Sequence, residues 1–192
     1  MNKQTKFVED EGIQVCNSLT LDEANALAFK VISLVDAHLQ PIEIVGSARR
    51  CKPIVKDIDF VGVGSLKGWN LAKKSLIGML DAKVKMEGPK ILRMLMPSVR
   101  GHVQIDLYRA TEETYGVLKL IRTGSAEHNV WLAGLAIKKG MRLLYSQGLV
   151  DRFGKVVAGR EEKEVFEALG LEYVIPSERE IVRGKPVWLN DL

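Results

Sequence analysis

Asp57 and Asp59 stand one residue apart in EIVGSARRCKPIVKDIDFVGVG, residues 43–64, at the head of an otherwise apolar run. Along a strand, residues i and i+2 share a face, so the two carboxylates project together while Ile58 and Phe60 turn to the core. Carboxylates a few ångströms apart repel unless a proton or a cation lies between them. Asp106 interrupts a second alternating run, HVQIDLY, among Val103, Ile105 and Leu107. If the two strands are neighbours, three carboxylates converge on one patch. Oxygen-only ligation of that kind suits hard cations such as Mg²⁺ or Mn²⁺, which keep waters and bind substrate phosphates. Two such ions about 3.5–4 Å apart can activate an attacking hydroxyl and neutralise a leaving pyrophosphate.

An Asp-x-Asp alone is commonplace at strand ends and turns; its surroundings sharpen it. Gly46 and Ser47 end the preceding strand eleven residues before Asp57, and Arg49, Arg50, Lys52 and Lys56 fill the interval. Glycine permits close backbone approach, and a serine with free N–H groups at the start of a short helix can cradle a phosphate. The planar fork of Arg50 can grip a triphosphate tail. Together these parts make nucleotidyl transfer physically intelligible.

The elements that must position these residues are legible from patterning. Thr20 to Glu23 is a capping box, followed at helical spacing by Leu21, Ala24, Leu27, Ala28, Val31, Ile32 and Val35, which predicts a helix to about His38. Strands are expected over 42–46 and 57–63, a helix over 67–80, a hairpin turning at Gly88-Pro89, and a strand over 101–110. Helices are expected over 111–122 and from an N-cap at Ser125 to Gly140, and a charged helix over 161–169 closed by Gly170. Strands followed by segregated helices indicate an α+β fold.

With 192 residues, 46% of them hydrophobic, the chain can bury one substantial core or two small ones. It has no apolar run long enough for a membrane span, and its first residues lack the apolar segment of a signal peptide, so a soluble, intracellular protein is expected. Cys16 and Cys51 have no zinc spacing, and their pairing stays open. The net charge of +4 is uneven: residues 49–100 carry twelve Lys/Arg against four Asp/Glu, and residues 161–192 four against eight. The basic stretch surrounds the aspartates and reads either as solvated surface or as a footprint for polyphosphate or nucleic acid.

The order of motifs resembles that of the family X DNA polymerases, the polymerase beta group of the nucleotidyltransferases. GSARRCKPIVKDID matches the family's Gly-Ser, arginine pair and Asp-x-Asp, VQIDLY its third carboxylate, TGSAEHN its Thr-Gly-Ser followed by Asn, and EVFEALGLEYVIPSERE its C-terminal segment. The resemblance implies an N-terminal segment at 1–19, a palm over 20–122 with a mixed sheet and helices on one face, and a small α+β thumb over 123–192. It implies two Mg²⁺ ions, replaceable by Mn²⁺, with Asp57 and Asp59 on both and Asp106 on the catalytic one. Ser47 and Arg50, with Gly46 beside them, would hold the triphosphate, and Lys56, though not part of the family pattern, would add a cation there. Ile121, Arg122, Thr123, Gly124 and Ser125 would line the sugar side, and Asn129 the base. The implied partners are a dNTP and gapped or primer-template DNA, with the chain acting as a monomer in short-gap repair.

The chain departs from that pattern at several points. Cys51 stands where a glycine usually follows the arginine pair, and Lys56 where a glycine often precedes the first aspartate. Gln104 replaces a basic residue two before the third aspartate, and Ile121-Arg122 replaces Tyr-Phe, which predicts weaker rejection of ribonucleotides. The short N-terminal region is expected to carry no lyase or duplex-gripping module. His38 and His102 read as non-catalytic, His128 as a nucleic-acid contact or a solvated surface residue, Trp131 as core, Trp188 as core or a base-stacking ring, and the methionines of RMLMP as core. Two other classes stand beside the polymerase: a template-independent or small-molecule or tRNA nucleotidyltransferase, and a non-catalytic nucleic-acid-binding module.

Overall fold

The computed structural model describes residues 7–10, 12–16, 18–182 and 185–186; Trp188 lies outside the described residues. The chain divides into two compact units, Met1–Arg109 and Ala110–Leu192. No described helix is long and apolar enough to cross a membrane.

The first unit opens with an antiparallel hairpin, β1 (Phe7–Asp10) and β2 (Ile13–Cys16), and a short β3 (Leu19–Thr20). Helix α1 (Leu21–Val35) starts at the expected capping box, where Glu23 N–H donates to the Thr20 hydroxyl and Thr20 N–H donates to the Glu23 carboxylate. It buries Ala24, Ala28, Val31 and Val35, the stripe its spacing implies. There follow β4 (Ile42–Ile44), the one-turn α2 (Gly46–Arg49), β5 (Ile54–Val55) and β6 (Asp57–Val63). Helix α3 (Leu66–Met79) is capped by the Ser65 hydroxyl and buries Trp69, Ala72, Lys73 and Leu76. The unit closes with β7 (Lys83–Glu87), β8 (Ile91–Ser98) and β9 (Gly101–Ala110).

The seven-stranded sheet is mixed. It runs β1-β2-β9-β6-β4, with β8 antiparallel along β9, β7 antiparallel to β8, and β2 parallel to β9 where Val15 meets His102. Strand alternation divides it into an apolar face and a mixed face, on which the buried Val61 and Leu95 accompany polar residues. Ile58, Phe60, Leu92, Met94, Met96, Val103, Ile105 and Leu107 join the buried residues of α1 and α3 in one core. The alternate positions present Asp57 and Asp59 on β6, Arg93 on β8, and Gln104, Asp106 and Tyr108 on β9.

In the second unit, α4 (Tyr115–Thr123) and α5 (Ala126–Lys138) precede a three-stranded antiparallel sheet. Its strands are β10 (Arg142–Leu144), β11 (Gly148–Val150) and β12 (Val156–Ala158), and helix α6 (Glu162–Ala168) follows. Val117, Leu120, Leu132, Ala136, Leu149, Val165 and Phe166 form a separate core. Gly116 lies flush on the backbone of Glu161, so close that a Cβ would overlap it, and Val117 N–H donates to Gly159 O at 3.0 Å. His128 corrects its sequence expectation. It is fully buried, its ring centroid 6.2 Å from that of Trp131 and 6.0 Å from that of Phe166, because the first turn of α5 packs against α6. Trp131 packs against this core as expected.

Candidate active site

The mixed face of the first unit holds the residues that the sequence singled out there. Asp57 opens β6 and Asp59 follows on the same face, both half-buried and alternating with the fully buried Ile58 and Phe60. Strand β9, beside β6, carries Asp106, almost wholly buried at 1% exposure. Gly46 begins α2 at φ +68°, and the Asp59 carboxylate occupies the space in which a Cβ at Gly46 would lie. Any side chain there therefore meets both an unfavourable backbone angle and the carboxylate. Ser47 is half-buried in the same turn, where its carbonyl accepts from Lys52 N–H at 3.0 Å. Arg50 ends the turn half-buried, and Lys56 is exposed just before β6. Cys51 takes a left-handed φ of +57°, which supplies the physical reason for a glycine at this point of the resembling pattern.

The charges interact. Burial first, and then the negative charge of Asp106, push the Asp57 carboxyl above its ordinary range. Asp106 is met by Arg93, its direct partner across the β8–β9 ladder. Arg93 Nε donates to Oδ1 at 2.8 Å and Nη2 donates to Oδ2 at 2.5 Å. Gln104 Nε2 donates to Oδ1 at 3.3 Å and the Tyr108 hydroxyl to Oδ2 at 3.0 Å. The hydrogen bonds to Asp106 push the Arg93 guanidinium further toward its charged form. Patterning did not single out Arg93. Its signal was a lone charge inside the apolar run ILRMLMP.

As the side chains stand, no three His, Cys, Asp or Glu residues among the described ones form a metal-holding group. The donor chemistry nevertheless fits a hard divalent ion. Asp57 and Asp106 are close enough to repel, and Asp106 already draws a cation, supplied here by Arg93. Other basic residues of this stretch also serve local carboxylates: Lys73 pairs with Glu87 at 2.6 Å and Arg100 with Glu23 at 2.9 Å.

The second unit carries the remaining residues of the set. Ile121 and Arg122 are half-buried near the end of α4, Thr123 is buried, and Gly124 ends the helix at φ +69°. The Ser125 hydroxyl caps α5 by accepting from His128 N–H at 3.2 Å. Asn129 donates its side-chain amide to Ile121 O at 2.7 Å, tying α5 to α4, and its buried Oδ1 has no hydrogen-bond partner. Elsewhere in the unit, a cavity of about 500 Å³ lined by Tyr115, Lys119, Arg160, Lys163 and Tyr173 among others contains none of the expected site residues.

Residues 119–180 match the family model of the DNA polymerase beta thumb. No curated protein matches the chain. The thumb match supports a relationship to the polymerase beta-like proteins. It spans Ile121 to Asn129 and leaves the three aspartates outside.

Proposed function

We propose that this chain is a DNA nucleotidyltransferase of the family X type, adding dNTPs to a primer 3′-hydroxyl on gapped or primer-template DNA. The observation that carries this reading is the thumb match over 119–180 together with Asp57 and Asp59 on one face of a strand beside that of Asp106. Bound Mg²⁺ or Mn²⁺ would supply an activated hydroxyl and neutralise the leaving pyrophosphate. Asp57 and Asp59 are assigned to both ions and Asp106 to one.

The chain's own groups do the positioning on which phosphoryl transfer depends. Ser47, Arg50 and Lys56 hold the triphosphate, and Gly46 leaves room for Asp59. Thr123, Gly124 and Ser125 border the sugar beside Ile121 and Arg122. Asn129 reaches the base only after its amide leaves Ile121 O, and a minor-groove contact of that kind discriminates bases poorly, so sequence choice falls to the template. A palm over 20–122 and a thumb over 123–192, monomeric action and a role in short-gap repair complete the reading.

The test is primer extension on gapped DNA with Mg²⁺. Asp106→Ala is expected to lose activity by about a hundredfold or more while keeping its fold. Near-normal extension by that variant rejects the triad. A second reading, a DNA-binding module without chemistry, draws on the occupation of Asp106 by Arg93. It predicts salt-dependent DNA binding with no Mg²⁺-dependent extension by the unaltered protein.

A further inference from the structure

Asp106 is almost wholly buried, yet its carboxylate is crowded with donors. An ionised carboxylate offers about four lone-pair directions. Here Arg93 Nε lies 2.8 Å from Oδ1 and 3.1 Å from Oδ2, Arg93 Nη2 2.5 Å from Oδ2, Gln104 Nε2 3.3 Å from Oδ1, and the Tyr108 hydroxyl 3.0 Å from Oδ2. A cation can reach Asp106 only by displacing one of these donors.

The three donors differ in what their displacement requires. Gln104 and Tyr108 are neutral and sit on β9 itself, two residues either side of Asp106. Arg93 carries a full charge, which a cation can replace, and its side chain remains 37% exposed, so the displaced guanidinium can pass directly into water. Its seat is nonetheless built. The ladder runs unbroken from Ile91 opposite Tyr108 to Ser98 opposite Gly101, which fixes Arg93 directly across from Asp106. The bidentate fork restrains the carboxylate in one rotamer, as a planar guanidinium does and an ammonium does not.

We infer that Arg93 is the resident counter-ion of Asp106, and that a divalent cation takes up this carboxylate by exchange with the guanidinium, so that Arg93 sets the cation affinity of the site. Arg93 is thus a positioning residue. It holds the Asp106 carboxylate oriented, and it raises the cation concentration at which the third carboxylate is recruited. The inference rests on the reading of Asp57, Asp59 and Asp106 as metal ligands.

The test is direct binding of Mn²⁺, followed by the electron paramagnetic resonance signal of the free ion, with the full chain at mildly alkaline pH and without nucleotide or DNA. The proteins compared are the unaltered chain, Arg93→Leu, Arg93→Lys and Asp57→Asn. Arg93→Leu is expected to bind Mn²⁺ about tenfold tighter than the unaltered chain, the equivalent of one partly exposed charge-assisted pair. Arg93→Lys, which keeps the charge and loses the fork, falls between them and serves as the folded control. Affinities equal within about twofold, or weaker binding by Arg93→Leu, overturn the exchange while leaving the ligand assignment standing. Mn²⁺ binding that Asp57→Asn does not weaken overturns the ligand assignment and the exchange together.

Discussion

Among the described residues each unit buries one carboxylate against an arginine and a tyrosine hydroxyl, and the two pairs are finished differently. In the second unit Glu162 accepts from Arg179 Nη1 at 2.7 Å and from the Tyr173 hydroxyl at 3.2 Å. Arg179 is fully buried, donates to Val174 O at 2.9 Å, and lies 5.4 Å from the ring centroids of both Phe166 and Tyr173. In the first unit the carboxylate of Asp106 is as deep, but its arginine keeps an open side. A closed pair of this kind stabilises mainly by leaving neither charge alone, since desolvation offsets most of the attraction. An open pair can be traded for another cation. The same three residue types therefore serve as a structural clasp in one unit and as an exchangeable contact in the other, and the exposure of the arginine separates the two roles.

The largest effect that could break this comparison lies in the clasp. Arg179→Leu strands a buried carboxylate and is expected to lower stability by about 3–5 kcal/mol in a urea titration, with Glu162→Leu added to it recovering most of the loss. A loss under about 1 kcal/mol would place the two pairs in one class. Arg93→Leu should cost less, about 1–2 kcal/mol, because water reaches the vacated side. Saturating Mn²⁺ should return most of that loss and none of the loss in Arg179→Leu. The hydroxyls sharpen the contrast on a finer scale: Tyr108→Phe, at a buried residue, should cost about 1–2 kcal/mol, and Tyr173→Phe, at a residue 37% exposed, under about 1 kcal/mol. The smallest effect concerns Asp57, whose folded carboxyl holds its proton more tightly than the unfolded chain does. Stability attributable to it therefore falls as pH rises through that raised value. Asp57→Asn should unfold at a higher temperature than the parent at neutral pH, and the difference should vanish below about pH 4.

Much of the first unit was legible because its signals are local. The capping box at Thr20, the alternation around Asp57 and Asp106 and the helix after Ser65 need only neighbours in sequence. Arg93 was missed because its role depends on register. The turn at Val99-Arg100 sets Ser98 opposite Gly101, and counting back along both strands brings Arg93 opposite Asp106. Without that turn, the lone arginine in an apolar strand has no partner. The β1–β2 hairpin was likewise unforeseen, since its strands join the sheet through β9, far along the chain. His128 was misjudged for a related reason. A helix's first turn is usually wet, and only the packing of α6 against it makes this one dry. The Glu162–Arg179 pair spans helix and loop with no period to betray it.

Gly116 meets the backbone of Glu161 near the start of α4, and Thr123 and Gly124 lie at the other end. Seven residues of helix separate Gly116 from Thr123, about 10 Å at 1.5 Å per residue. A rigid rod held at one end by backbone-to-backbone contact behaves as a lever: a tilt of a few degrees at the fulcrum becomes several tenths of an ångström at the tip. Even one methyl group at residue 116 would push that fulcrum outward. The alignment of the Thr-Gly-Ser turn is in this sense set at the far end of the helix, by a residue that does not touch the turn.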